Sequence, residues 1–201
     1  MKNEILKIAN KIAKGDNVTY SKHSTQFDFC ESCDPDRLYY SVQKKIKDSD
    51  LYKELPLVNG KDDPNEEYGY ETTPHVTTLY GLTEEEDYFD LRRKLSSYDP
   101  IEVELGDISS FRNDENPYDV LIIKIKSKQL HEIHEMIKKD YKNEYDYPEY
   151  QPHMTLAYVK SGKCKELEGK DHELKGNQFG IDMLKWSHKD KYYLDLPLGE
   201  K

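Results

Sequence analysis

Two short strings of the chain share one residue order, and both could carry acid–base chemistry. Residues 74–77 are Pro-His-Val-Thr, and residues 152–155 are Pro-His-Met-Thr. Because side chains alternate along a β-strand, the His and the Thr of each string would point to the same face. An imidazole can accept or donate a proton near pH 7, and a hydroxyl can bind a phosphate oxygen. The four candidate catalytic residues are His75, Thr77, His153 and Thr155.

Two imidazoles on opposite sides of one phosphorus atom are sufficient to cleave an RNA-type phosphodiester. One His would take the proton of the 2′-hydroxyl, whose oxygen attacks phosphorus, and the other would protonate the departing 5′-oxygen. The product is a 2′,3′-cyclic phosphate, and the same pair could open that ring with water. Thr77 and Thr155 would hold the non-bridging oxygens. This mechanism needs neither metal nor cofactor, and the near-equivalence of the two strings leaves open which His is the base.

The longer runs around these strings, residues 74–82 and 147–160, resemble the signature of the 2H phosphoesterase superfamily, the RNA 2′,5′-ligase-like proteins. The resemblance extends over residues 24–196. The same runs are similar to a phage-associated branch with anti-CBASS enzymes, which cleave the cyclic oligonucleotide signals of bacterial immunity. The resemblance implies a metal-independent phosphodiesterase with a bilobal, pseudo-twofold α+β fold. In that fold, curved antiparallel sheets surround a central cleft and helices lie outside.

Length and charge limit the partners. The 201 residues suffice for one domain, so we expect an amphipathic helix and linker over residues 1–20 and a single domain over 21–201. A net charge of −10 favours a cyclic oligonucleotide or short RNA over a long duplex, which would need a basic stripe. No apolar run approaches the ~18 residues that span a bilayer, and residues 1–14 lack a signal-peptide pattern. We expect a cytoplasmic monomer that has no membrane partner. If a phage encodes the protein, the cytoplasm is that of the host.

Two other patterns could bind a metal, and neither predicts a metal site. Cys30 and Cys33 have Cys-x-x-Cys spacing, but no second pair accompanies them, so we interpret them and Cys164 as reduced thiols. His131 and His134 lie three positions apart on a predicted helix. That spacing is one residue too short for the zinc-binding His-Glu-x-x-His motif, so we interpret both as solvent-facing.

Aromatic and basic residues near the two strings are candidates for substrate binding. Tyr80 and Tyr158 each follow their His by five positions, which places them on the opposite strand face, so core packing is at least as plausible as base stacking. In the anti-CBASS branch a C-terminal Trp contacts a base; by resemblance Trp186 could do so, with a core position as the equal alternative. The remaining candidates for substrate contact are Phe179, Lys160 and Tyr70.

Hydrophobic periodicity predicts the elements that position these residues. Helices are predicted over residues 1–14, from Asp34 onward, over 83–97, where a capping box opens the helix, and over 129–142. Strands are predicted over residues 19–30, both motif strings, 101–111 and 118–126. Residues 179–186 and 191–196 are predicted to form a closing hairpin. Residues 48–72 are polar and contain Pro and Gly, which is typical of a substrate-covering lid or a plain surface loop. Tyr68 and Tyr70 would be the contact residues of a lid.

Three classes of function are consistent with these patterns. The first is a phosphodiesterase that cleaves cyclic or short signalling oligonucleotides. The second is an RNA-processing enzyme that acts on 2′,3′-cyclic termini or 2′,5′ linkages, and it should show a basic path to the cleft. The third is a nucleotide-binding module without catalysis.

Overall fold

Two four-stranded antiparallel sheets make up most of the folded chain. In the computed structural model, the residues whose structure is described are 22–28, 75–85, 87–112, 118–162, 164–172, 175–190 and 192–199. The predicted helices before residue 47, the Cys30–Cys33 pair, the proposed lid with Tyr68 and Tyr70, and the domain boundary at residue 20 lie outside these residues.

The first sheet has the strand order β2-β1-β7-β8 and the second β5-β4-β3-β6. The strands are β1 (His23–Asp28), β2 (His75–Leu82), β3 (Ile101–Phe111), β4 (Tyr118–Lys126), β5 (His153–Lys160), β6 (Gln178–Ile181), β7 (Met183–Ser187) and β8 (Tyr193–Pro197). The described helices are α1 (Asp87–Leu95) and α2 (Lys128–Asp140), and a 3₁₀ turn spans Cys164–Glu166. The predicted α+β fold of two curled sheets with outer helices is confirmed.

The two motif strands meet at the junction of the sheets. β2 is the terminal strand of the first sheet, β5 is the terminal strand of the second, and the two pack against each other. Helix α2 contacts β2 of one sheet and β3 of the other, so it bridges the junction from the buried side. Its apolar stripe of Leu130, Ile133 and Ile137 is almost fully buried. This buried stripe is the face by which α2 packs against the core.

Two elements differ from the sequence prediction. Helix α1 begins at Asp87, whereas the sequence predicts a start at Thr83; the backbone N–H of Thr83 donates to the carbonyl of Lys142 (3.2 Å), which ties that residue to the segment after α2. The predicted strand 179–186 is two strands in different sheets, since the chain crosses over at Asp182. The hairpin of β7 and β8 is confirmed.

The pKa values of two buried histidines allow a prediction of how the stability of the fold depends on pH. Burial lowers the pKa of His134, and burial together with the neighbouring His188 lowers the pKa of His23. Both would protonate near pH 6.5 when unfolded and only at a lower pH when folded. We therefore expect the free energy of unfolding to be constant above that pH and to fall as the pH decreases below it. Urea denaturation at a series of pH values measures this, and unchanged stability down to pH 5 would contradict it.

Candidate functional site

A β-bulge interrupts each motif strand at the same distance from its histidine. On β2 the partners of Thr77 and Leu79 are adjacent in β1, so Thr78 is the extra residue. On β5 the partners of Thr155 and Ala157 are adjacent in β4, so Leu156 is the extra residue. The exposure of side chains follows the same order over the first seven residues of both strands, with two consecutive buried residues at the bulge.

The bulges bring a third side chain to the face that carries the His and the Thr. An extra residue shifts the alternation by one, so Tyr80 and Tyr158 return to the partly exposed side. The sequence prediction that they lie on the opposite face from their histidines is therefore wrong. We call this surface the open face; its members are His75, Thr77, Tyr80, His153, Thr155 and Tyr158.

His153 is held in a defined orientation on the open face. Its Nδ1–H donates to the carbonyl of Gln151 (2.7 Å), which leaves Nε2 as the nitrogen available to a substrate. The ring of Phe111 meets the imidazole edge-on, with centroids 4.7 Å apart. Burial lowers the pKa of His153. The hydrogen bond to the Gln151 carbonyl raises this pKa, and the charge of His75 lowers it further. The neutral, proton-accepting form of His153 is therefore favoured near pH 7.

His75 begins β2 as His153 begins β5. It is partly exposed and pairs in register with Asp28 of β1. Its charge contributes to the pKa of His153, so the two imidazoles are close enough to interact electrostatically across the junction of the sheets. Thr77 and Thr155 lie two residues further along each strand, on the same open face. The structure thus brings all four candidate catalytic residues to one surface.

Trp186 and Phe179 lie away from this surface. Trp186 is fully buried on β7 and packs its ring against His23 and Tyr88. A ring without exposed area has no face for a base, so the stacking role by resemblance is wrong and the alternative, a core Trp, is confirmed. Phe179 lies on β6, which β3 and β4 separate from β5, and it packs against the core.

The other candidates have mixed positions. Lys160 is exposed at the end of β5. Cys164 is a buried free thiol whose pKa burial raises to about 12. His131 is exposed as predicted, but His134 is fully buried and its Nδ1–H donates to the carbonyl of Thr78 (2.7 Å), so its predicted solvent exposure is wrong. Tyr70 lies outside the described residues.

Three residues near the site were missed in the sequence. Phe111 contacts His153, and His134 and Tyr150 bind the backbone of β2. The position of His134 carried a signal, since it lies four residues after Leu130 and three before Ile137, within the apolar stripe of its helix. Phe111, at the end of a strand, carried none.

Two absences hold for the described part of the chain only. Among these residues, no three His, Cys, Asp or Glu side chains gather where they could hold a metal ion. Neither α1 nor α2 is long and apolar enough to cross a bilayer.

Comparisons with known proteins agree with this architecture. The chain superposes on Usb1 of Kluyveromyces marxianus with a TM-score of 0.61, at 12% identity, over 90% of this chain and 100% of that chain. A structure of the same protein with uridine monophosphate gives 0.59 at 13% identity, over 90% and 100%. The protein TT0787 of Thermus thermophilus gives 0.54 at 14% identity, over 90% and 99%. At these identities the likeness shows the fold alone.

Sequence comparison identifies the family. No curated protein matches the chain significantly. The family model of the 2'-5' RNA ligase superfamily matches residues 45–172, which is more than half of the chain and includes both motif strands. Members of this superfamily of 2H phosphoesterases are phosphodiesterases and ligases. The chain belongs to the 2'-5' RNA ligase superfamily.

Proposed function

We propose that this protein is a metal-independent phosphodiesterase that cleaves RNA-type phosphodiester bonds in cyclic or short signalling oligonucleotides. The observation that carries the proposal is the open face, on which two His-x-Thr strings lie on neighbouring strands with matching bulges. Two proton carriers beside one another suit a reaction that removes one proton and delivers another at a single phosphorus atom.

The proposed mechanism uses the four side chains of the two strings. One imidazole takes the proton of the 2′-hydroxyl, and the hydroxyl oxygen then attacks the phosphorus atom. The other imidazole protonates the 5′-oxygen as the bond to phosphorus breaks, which leaves a 2′,3′-cyclic phosphate. The hydroxyls of Thr77 and Thr155 donate to the non-bridging oxygens, where negative charge develops. Each acid or base step raises the reaction rate by about 10²–10⁴-fold.

A small substrate fits the charge and the side chains of the open face. The net charge of −10 disfavours a long polyanion, whereas a few local contacts suffice for a short one. Tyr80 and Tyr158 are partly exposed on the open face, where a base or ribose could contact them, and Lys160 could meet a second phosphate. The fold also accommodates a nucleotide in a distant relative, the Usb1 structure with uridine monophosphate. A phage origin would place the activity in the host cytoplasm, against cyclic-nucleotide immunity.

The family match gives weight to a second candidate function. The superfamily is named for 2'-5' RNA ligases, so an enzyme that acts on 2′,5′ linkages or on 2′,3′-cyclic termini of RNA is the alternative. A binding module without turnover is the third candidate.

One panel separates these candidates. The pure protein is incubated with EDTA and with cyclic dinucleotides, cyclic trinucleotides, 2′,5′-oligoadenylate and 2′,3′-cyclic nucleotides, and the products are resolved by chromatography. We expect cleavage of cyclic oligonucleotides only. Cleavage of the linear 2′,5′ or 2′,3′-cyclic substrates alone would select the RNA-processing function, and binding without turnover would select the third candidate.

The dependence of the rate on pH follows from the pKa of His153. A pair of imidazoles that act as base and acid gives a bell-shaped profile of kcat/KM. Because the pKa of His153 is lowered from 6.5, the acidic limb should have its midpoint below that value, whichever of the two residues is the base. Initial rates measured from pH 4.5 to 9 check this, and a flat profile between pH 5 and 8 would remove paired imidazoles from the mechanism.

A further inference from the structure

Two hydrogen bonds reach the backbone of β2 from the buried side, at the bulge. The hydroxyl of Tyr150 donates to the carbonyl of Thr77 (3.0 Å), and Nδ1–H of His134 donates to the carbonyl of Thr78 (2.7 Å). At a bulge the ladder of backbone hydrogen bonds is locally disrupted. These two donors therefore bind carbonyls at the point where β2 departs from regular pairing.

The two donors behave as one unit. The rings of His134 and Tyr150 stack face to face, with centroids 4.0 Å apart and planes within 1°. The ring of Tyr145 closes the edge of His134 at 4.8 Å. Tyr150 precedes His153 by three residues in the chain, and His134 lies on the helix that bridges the sheets. The pair thus joins the backbone of the first motif strand to the start of the second.

We propose that His134 and Tyr150 are positioning residues that hold the β2 bulge, and with it the side chains of His75, Thr77 and Tyr80, in register with His153. The proposal rests on the proposed phosphodiesterase function. A bulge released from these donors could relax by sliding its extra residue along the strand, which would turn Thr77 or Tyr80 away from the open face. A displacement of about 1 Å in a reacting group can cost about 10²-fold in rate.

The test replaces one hydroxyl at a time. Tyr150→Phe keeps the ring stacked on His134 and removes only the bond to Thr77. We expect kcat to fall about tenfold or more while KM changes less than about twofold, since the substrate contacts remain but their alignment is lost. The matched control is Tyr141→Phe, which removes another buried tyrosine hydroxyl on the far end of α2, bonded to Asp90 (2.9 Å). An equal fall in kcat in both variants, or none in Tyr150→Phe, would overturn the proposal.

A second readout does not depend on turnover. Amide hydrogen exchange at residues 77–80 should be faster in Tyr150→Phe than in the native chain and unchanged in Tyr141→Phe. If the native protein cleaves nothing in the substrate panel, the proposed function fails, and this measurement still tests the pair. Equal exchange in the native chain and Tyr150→Phe would overturn the positioning role.

A separate observation indicates a nucleotide subsite beside His153. Phe111 aligns with Val120 of β4, which aligns with Tyr158 of β5, so all three side chains lie on the open-face side of the second sheet. Phe111 is 36% exposed although it touches His153. Lys124 is directly opposite His153 in the ladder between β4 and β5, and it is exposed. An aromatic face and a cation thus flank one imidazole.

We infer that Phe111 stacks on the base of the nucleotide next to the reacting phosphate, and that Lys124 neutralises a phosphate of the same nucleotide. This inference also rests on the proposed function. An apolar ring stacks on any base without a hydrogen bond, so the subsite should accept both adenine and uracil. The acidic chain then needs only a local cation to bind a short anionic substrate.

Direct binding of mononucleotides tests the subsite. AMP and UMP are titrated by NMR against the native protein, Phe111→Ala, Phe111→Tyr and the control Phe89→Ala, which removes an exposed ring on α1 (77% exposed). We expect Phe111→Ala to weaken both nucleotides roughly tenfold to a hundredfold, and Phe111→Tyr and Phe89→Ala to bind as the native chain does. Native affinity in Phe111→Ala, or no binding to the native protein, would overturn the subsite. Binding as expected, without turnover of the substrate panel, would remove only the proposed function.

Discussion

Alanine in place of either His75 or His153 should lower kcat by about 10²–10⁴-fold and leave the fold intact. Each imidazole carries one of the two protons that the reaction moves, and a methyl group can carry neither. Both side chains are partly exposed on the open face, so their removal opens no cavity in the core. Turnover of the best substrate of the panel measures the first effect, and the thermal unfolding midpoint measures the second.

A third histidine provides the control for this loss. His172→Ala removes a half-buried imidazole whose Nε2 contacts the carbonyl of Gly106 (2.8 Å) on β3, a strand that β4 separates from β5. It should keep native turnover. The double variant, which lacks both catalytic imidazoles, should have nearly the same turnover as the slower single variant. The losses of rate are not additive because the two residues act as a unit. Retained activity in His75→Ala or His153→Ala would remove that residue from the mechanism.

The variant Trp186→Ala should lose about 3–5 kcal/mol of unfolding free energy. The indole is fully buried between β1 and α1, where it contacts His23 and Tyr88, and alanine would leave a large cavity. Domains of this kind have a total stability of about 5–15 kcal/mol, so the variant should be near the limit of folding at 37 °C. Urea denaturation at pH 7.5 gives the loss directly.

The same variant distinguishes a core residue from a substrate contact. At 15 °C the folded fraction of Trp186→Ala should cleave substrate with native KM, because the ring has no surface for a base. Phe89→Ala, which removes an exposed ring, should change stability by less than about 0.5 kcal/mol. A raised KM with native stability in Trp186→Ala would place the indole against the substrate.

The sequence was sufficient for features that follow from local periodicity. Strands 101–111 and 118–126 have the predicted bounds, and the helix predicted over 129–142 spans Lys128–Asp140. Residues 128–140 carry an apolar stripe at helical spacing and an N-cap, Ser127, whose hydroxyl accepts from the N–H of Leu130 (3.3 Å). The paired strings were recognisable because the same order of four residues occurs twice.

The bulges could not be predicted, and they decided the composition of the site. Thr78 and Leu156 are ordinary strand residues, and strict alternation along each string places the tyrosine on the wrong face. The extra residue is visible only in the register with β1 and β4, which is a property of the folded sheet. The crossover at Asp182 is hidden for the same reason, since a run of strand-forming residues does not specify the sheet in which each part pairs.

Helix α2 lies behind the open face at the junction of the sheets, where it contacts β2 of one sheet and β3 of the other. Because such a brace resists rotation of one lobe against the other, the separation of the two imidazoles should be nearly the same before and after substrate arrives. Selectivity would then come from which phosphodiesters fit a gap of constant width.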